Sequence, residues 1–210
     1  SSMSLGDRAS FDPTGTSLAG LFFGQLTIGI LGVLVMSGEY GTGTIRATFS
    51  AAPRRPLVLT AKAVVFGVVA LVVSEIVAFI SFFLGQALLS APATHTTLGS
   101  PGALRAVAGS GLLLCALGLF ALGLATIIRH TAGAISAFVG VLLVLPLIVT
   151  ALPSSIGREI ERFLPDRIGG AIISAHMGDA FAPWIGLLLL CGYAALALVI
   201  GGVLLVRRDA

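Results

Sequence analysis

Five long apolar runs alternate with shorter polar stretches along this chain: Ser17 to Met36, Ala63 to Leu89, Ala106 to Ile128, Ala132 to Leu152, and Ile185 to Val206. Glu75 is the only charged residue inside any of them. Each run meets the roughly 20 apolar residues that an α-helix needs to cross about 30 Å of hydrocarbon. None alternates apolar with polar positions over the ~10-residue strands of an outer-membrane barrel. The pattern predicts an all-α, polytopic membrane protein, a single transmembrane domain over residues 1–210 with five spanning helices.

Two intervening stretches carry patterns of their own. Ser37 to Lys62 is polar, basic and punctuated by glycine. Gly41 and Gly43 oppose a continuous helix, Thr44 suits an N-cap, and Ile45, Phe49 and the Thr48 methyl share one face of a short helix ending before Pro53. Pro56 suits the first turn of the next helix, and Lys62 stands at the membrane interface, where its apolar stem can snorkel. Farther on, Pro153 to Trp184 is too polar to span. Ile156, Ile160, Phe163 and Leu164 recur at helical spacing beside Arg158, Glu159, Glu161 and Arg162, the pattern of an amphipathic helix lying at a membrane surface. Pro165 ends it, and Ile168, Ala171, Ile172 and Ile173 begin a second short helix that dips toward the bilayer. Trp184 is an interfacial anchor for the last run. Within the runs, Pro146 is expected to kink the fourth. Gly20 with Gly24, and Gly109, Gly111, Gly118 and Gly123 of the third, allow close helix approach, within the chain or to a second copy.

Composition supports this pattern: 57% of residues are hydrophobic and 10% charged, whereas soluble domains carry roughly a quarter charged residues. Charge placement then sets sidedness. With five spans, one face of the membrane receives Arg46, Arg54, Arg55, Lys62, Arg129, Arg207 and Arg208 against Glu39 and Asp209. The other receives Arg8, Arg105, Arg158, Arg162 and Arg167 against Asp7, Asp12, Glu159, Glu161, Asp166 and Asp179. The positive-inside bias puts the Ser37 to Lys62 link, the Arg129-His130 turn and the C-terminus in the cytoplasm. An outside N-terminus then predicts a further helix ahead of Ser1, giving six spans, with signal-peptide cleavage as the alternative.

Little else carries chemistry. No phosphate-binding Gly-x-x-x-x-Gly-Lys-Ser/Thr loop and no His-Glu-x-x-His zinc motif occurs, so neither catalytic residues, nor a bound cofactor, nor a metal site is expected on this chain. Cys115 and Cys191 lie inside runs without redox or metal spacing and suit packing. Ser110, between Gly109 and Gly111, suits helix packing better than nucleophilic catalysis. His95, His130 and His176 fall on opposite faces and form no common site. Glu75 is the intramembrane polar candidate, 13 residues beyond Lys62 and so about 20 Å along the helix. Two readings stay open for it: a protonated acid hydrogen-bonded to a neighbouring helix, or a carboxylate facing a water-filled cavity.

The block Gly38-Glu39-Tyr40, Gly43-Thr44-Ile45-Arg46, Pro53-Arg54-Arg55 and Ala61-Lys62 resembles the cytoplasmic signature of bacterial ABC-2 type transporter permeases. Phe83-Leu84-Gly85-Gln86 and Phe163-Leu164-Pro165 with Trp184 are similar to the same family's third span and outer segment. The resemblance covers Leu18 to Arg208 and implies six spans per subunit, the first absent here. It implies an ATP-driven exporter in a bacterial plasma membrane, built from two permease chains, identical or different, and two ATP-binding subunits that hold ATP and magnesium. Carried over by position, it assigns ATPase coupling to Glu39, Tyr40, Thr44, Ile45, Arg46, Phe49, Arg54 and Arg55. An outer gate near Ile156, Ile160, Phe163, Ile168 and Ile172 completes the expectation. The link read by itself leaves one alternative, a basic loop drawn to anionic lipid headgroups. A proton-coupled secondary transporter using Glu75 and a non-transporting scaffold or immunity protein are the rival classes. Membrane lipid is a partner in every case, and no nucleic-acid partner is expected.

Overall fold

The structure, a computed structural model, describes residues 20–42, 55–88, 97–173 and 182–208. Its elements, in order, are α1 (Leu21–Thr42), α2 (Arg55–Leu88), α3 (Ala103–Ile128), α4 (Thr131–Val139), a π turn (Gly140–Val144), α5 (Leu145–Thr150), α6 (Ser154–Glu161), α7 (Pro165–Ile173) and α8 (Pro183–Arg208). There is no strand among the described residues. Five helices are long and apolar enough to cross a membrane: Leu21–Gly41, Pro56–Leu88, Ala103–Ile128, Thr131–Thr150 and Pro183–Arg207.

The third of these is the hub. In its most apolar stretch 61% of residues are buried, against 22–39% in the other four, and α1, α2, α7 and α8 all pack on it. Lipid tails are as apolar as leucine, so helices gain contact in a bilayer chiefly where small residues let their backbones close in. Along α3, such residues face each neighbour in turn. Gly118 receives α1 at Gly32 and takes the Phe66 ring of α2; Gly123 takes Ala197 of α8; Gly109 takes Ile172 of α7. In return, Gly201 of α8 lies over Thr126, and Gly169 of α7 over Leu113.

The four glycines expected in the third run therefore all serve helix contacts within the chain. The Gly20 and Gly24 pair makes no close approach: Gly20 has nothing within 4 Å, and Gly24 meets α3 only at the end of Leu114, 3.6 Å away. The close approaches of α1 instead fall at Gly29, against the Phe138 ring, and at Gly32. A spacing rule finds small residues; which of them meets a partner depends on how α1 crosses α3.

Two helices also extend beyond their apolar runs, and the fourth span is interrupted. α1 continues through Gly38 and Gly41 to Thr42, past the end of its apolar run at Met36, and α2 starts at Arg55, with Pro56 in its first turn as expected. Packing of Tyr40 against the core and the anchoring of Lys62 on α1 hold these ends in helix where glycine alone would not. In the fourth span the interruption expected at Pro146 takes the form of a π turn over Gly140–Val144. Proline lacks the N–H owed to the carbonyl four residues back, and a widened turn just ahead of it accommodates the missing bond.

Candidate functional site

At one end of the bundle, side chains from α1, α2 and the α3–α4 turn join with the backbone of α8. Glu39 and Tyr40 lie in the last turn of α1, where Ser37 and Met36 pin the helix to the core. Lys62 lies two turns into α2, and its ammonium meets Glu39 Oε1 at 2.6 Å. The same ammonium donates to the Val35 carbonyl at 3.3 Å, so it grips α1 twice. Both partners are largely shielded, with side-chain exposures of 15% for Lys62 and 31% for Glu39. An ion pair in that setting is screened less than a surface one.

Arg129 closes the other half of the cluster. It ends α3 in the left-handed region at φ 60°, the only such non-glycine position among the described residues, and its N–H caps the Ala125 carbonyl. A side chain there costs about 1 kcal/mol or more in backbone strain. Its contacts offset that: the guanidinium sits 5.6 Å from the centre of the Tyr40 ring and donates to the Leu204 carbonyl of α8 at 3.3 Å. A cation over an aromatic face and near the C-terminal end of a helix is favoured on both counts. The next residue, His130, accepts from the Gly133 N–H at 3.2 Å and so caps α4. Arg129 and His130 thus cap the adjoining ends of α3 and α4.

This cluster brackets residues 43–54, because Thr42 ends α1 and Arg55 opens α2. Thr44, Ile45, Arg46, Phe49 and Arg54 lie outside the described residues. Of the coupling candidates, Glu39 and Tyr40 are thus brought together, and Arg55 stands at the root of α2. The pairing of Glu39 with Lys62, and of Tyr40 with Arg129, was not read from sequence. One signal pointed to it: the chain's sole lysine and its sole carboxylate on the basic side ahead of the C-terminal tail flank the same link.

Glu75 lies midway along α2, with its carboxyl laid against the bare backbone of Gly111 on α3, where any Cβ would overlap it. Among the described residues no hydrogen bond or ion pair reaches that carboxyl. Ser110, one residue away on α3, spends its hydroxyl on the Val107 carbonyl at 2.6 Å. Cys115 is half-buried and donates to the Gly67 carbonyl at 3.3 Å, whereas Cys191 is exposed on the outside of the bundle; both are free thiols.

At the opposite end, α6 and α7 divide the five outer candidates. Ile168 and Ile172 are buried against α3 and α8, seated on Gly109 and over Gly186. Ile160 and Phe163 point outward, and Ile156 contributes only its place in α6. Arg167 pairs with Glu161 at 2.5 Å, and Tyr193 of α8 donates to the Phe163 carbonyl at 3.2 Å, clamping the α6–α7 corner to α8. Of the four candidates whose side chains are described, Ile168 and Ile172 form part of the packed interior. No group of three or more metal-binding side chains occurs among the described residues.

Fold and site together define a class: a helical protein with five helices able to cross a membrane and a polar, charged knot at one end of the bundle. Comparison with protein families, with curated proteins and with solved structures finds no match to this chain.

Proposed function

We propose that this chain is the permease subunit of an ATP-driven exporter of the ABC-2 type, coupled through residues 43–54 to a separate ATP-binding subunit. The observation that carries the reading is the knot at the roots of that link: Glu39 to Lys62, and Tyr40 through Arg129 to α8. A coupling segment must pass its displacement to the spans without slack. Here both of its roots are bound to each other, and one of them to the hub helix and to α8, so a push on the link moves helices rather than a loop. The resemblance of the Gly38 to Lys62 block to ABC-2 permeases supplies the partner, and the basic bias of this end supplies the side, the cytoplasm of a bacterial plasma membrane.

In this reading the apolar edge of Ile45 and Phe49 fills a groove on the ATPase, with Arg46, Arg54 and Arg55 fixing orientation at its rim. ATP and magnesium are held by that partner. A second permease chain completes the pathway, and the buried Ile168 and Ile172 of α7 close it on the outer side. Closure of the ATPase pair shifts the population between gate-closed and gate-open bundles.

Replacing Ile45 by Asp together with Arg46 by Glu is expected to cut substrate-stimulated ATP hydrolysis at least tenfold in vesicles holding the permease and its ATPase, while membrane insertion and yield stay at wild-type levels. Unchanged stimulation sinks the proposal. One observation favours a second reading, the lone Glu75 carboxyl against Gly111, which suits a proton-linked transporter. Glu75→Gln separates the two: an ATP-driven exporter keeps nucleotide-dependent transport within about twofold, while a proton-coupled carrier loses its response to an imposed pH gradient.

A further inference from the structure

Away from the knot, a groove of about 470 Å³ runs between α2 and α8 at the same end of the bundle. Pro56, Leu59 and Ala63 form one wall and Gly202, Val203 and Arg207 the other. Each set follows helical spacing, so each is a single stripe. The helices touch where Leu59 meets the bare Gly202, whose Cβ would sit 3.5 Å from the leucine methyl. The missing side chain at Gly202 opens the space beside that contact.

Two features fix what the groove suits. Among the described residues its walls are apolar apart from Thr60 and Arg207, and no acidic residue lines it. Thr60 already turns its hydroxyl to the Leu57 carbonyl at 2.9 Å. Arg207 is exposed at the mouth, and among the described residues no hydrogen bond or ion pair reaches it. Position adds the second constraint. Trp184, 56% exposed, and Arg207 lie 23 residues apart on α8, about 35 Å along the axis, slightly more than the hydrocarbon core. An aromatic belt residue at one end thus puts Arg207 at headgroup level at the other, with Val203 just inside the acyl region.

We propose that this groove is a binding site for one anionic phospholipid of the leaflet on the side of residues 43–54, its phosphate on Arg207 and one acyl chain along Leu59, Ala63 and Val203. A zwitterionic lipid offers the same chain but brings a cation that finds no carboxylate among the described residues lining the groove. The site depends only on the helices spanning a membrane and holds whether or not the protein couples to an ATPase.

The full chain, purified in a neutral maltoside detergent, tests this by native mass spectrometry with equimolar phosphatidylglycerol and phosphatidylcholine of identical acyl chains. Phosphatidylglycerol is expected to bind preferentially. Arg207→Gln lowers that preference about fivefold, the worth of one basic residue at an anionic surface, and Arg207→Lys retains it. Gly202→Trp, or Thr60→Trp from the other wall if the first fails to fold, removes the first bound lipid of either kind. Equal binding of the two lipids overturns the proposal, as does a preference unmoved by Arg207→Gln. Bound phosphatidylglycerol that survives filling of the groove overturns it too, pointing to a second copy or another segment of this chain as the occupant. Glycerophosphoglycerol competing as well as the whole lipid places recognition in the headgroup alone and excludes the groove.

Discussion

Gly32→Leu is expected to abolish the folded bundle. A Cβ at this position falls onto the carbonyl oxygen of Gly118 in α3 and lies 3.3 Å from the Phe66 ring tip of α2. A clashing side chain can rotate away, but a backbone carbonyl inside a helix cannot, so α1 and α3 must separate. Overpacking in a close-packed interior costs about 1–3 kcal/mol even where side chains can yield, and separation here also loses the contacts along the whole α1–α3 seam. Total stabilities of about 5–15 kcal/mol leave little margin for that. Size-exclusion chromatography in mild detergent should show aggregate in place of a single species, and Gly32→Ala should already lower the unfolding midpoint. Gly192→Ala provides the control, since nothing lies within 4 Å of that glycine. It should be neutral or slightly stabilising, by about 0.5–1 kcal/mol from helix propensity. Equal stability of Gly32→Leu and wild type would rule out the α1–α3 contact.

Lys62→Glu should destabilise the knot, and Glu39→Lys in the same chain should restore it. The single change sets two carboxylates where a 2.6 Å ion pair stood and removes the donor to the Val35 carbonyl. Because Glu39 Oε2 is already buried without a hydrogen bond, the unpaired acid has little water to turn to. Leaving one member of a partly shielded pair uncompensated costs about 2 kcal/mol, between the values for exposed and fully buried pairs. The swapped double variant recovers the Coulomb attraction but not the Val35 bond, so recovery should be most of the loss rather than all of it. A double-mutant cycle from unfolding in detergent reads the coupling directly. A coupling energy near zero would mean that the two roots of the link move independently, and the mechanical argument for residues 43–54 would go with it.

Much of the architecture is legible in the sequence. The apolar runs set the number of candidate spans, and Ile156 to Leu164 and Ile168 to Ile173, with Pro165 between them, announced two short helices where α6 and α7 stand. The knot was legible only in part. Glu39 and Tyr40 stood out as members of a block, and Lys62 and Arg129 as an interfacial snorkel and a turn, but nothing in their spacing joined them. They are 23 and 89 residues apart, and partners at such separations are chosen by helix packing. Nor did the sequence separate Ile160 and Phe163, which face outward, from the buried Ile168 and Ile172: hydrophobic spacing reveals an amphipathic face but not whether protein or lipid covers it.

What the sequence determined by itself was length, hydropathy and the order of elements. Those depend on local chemistry: a backbone in hydrocarbon must satisfy its own hydrogen bonds, and about 20 apolar residues in helix do so whatever surrounds them. Tertiary structure alone decided that α3 is the hub, that Gly29 and Gly32 rather than Gly20 and Gly24 take the close contacts, and that Lys62 and Arg129 tie α1 to α2 and α8. In lipid every span is apolar on all sides, so hydrophobicity cannot say which face meets a neighbour. The choice falls to the fit of small residues against large ones and to a few polar ties, and both exist only once the helices are assembled.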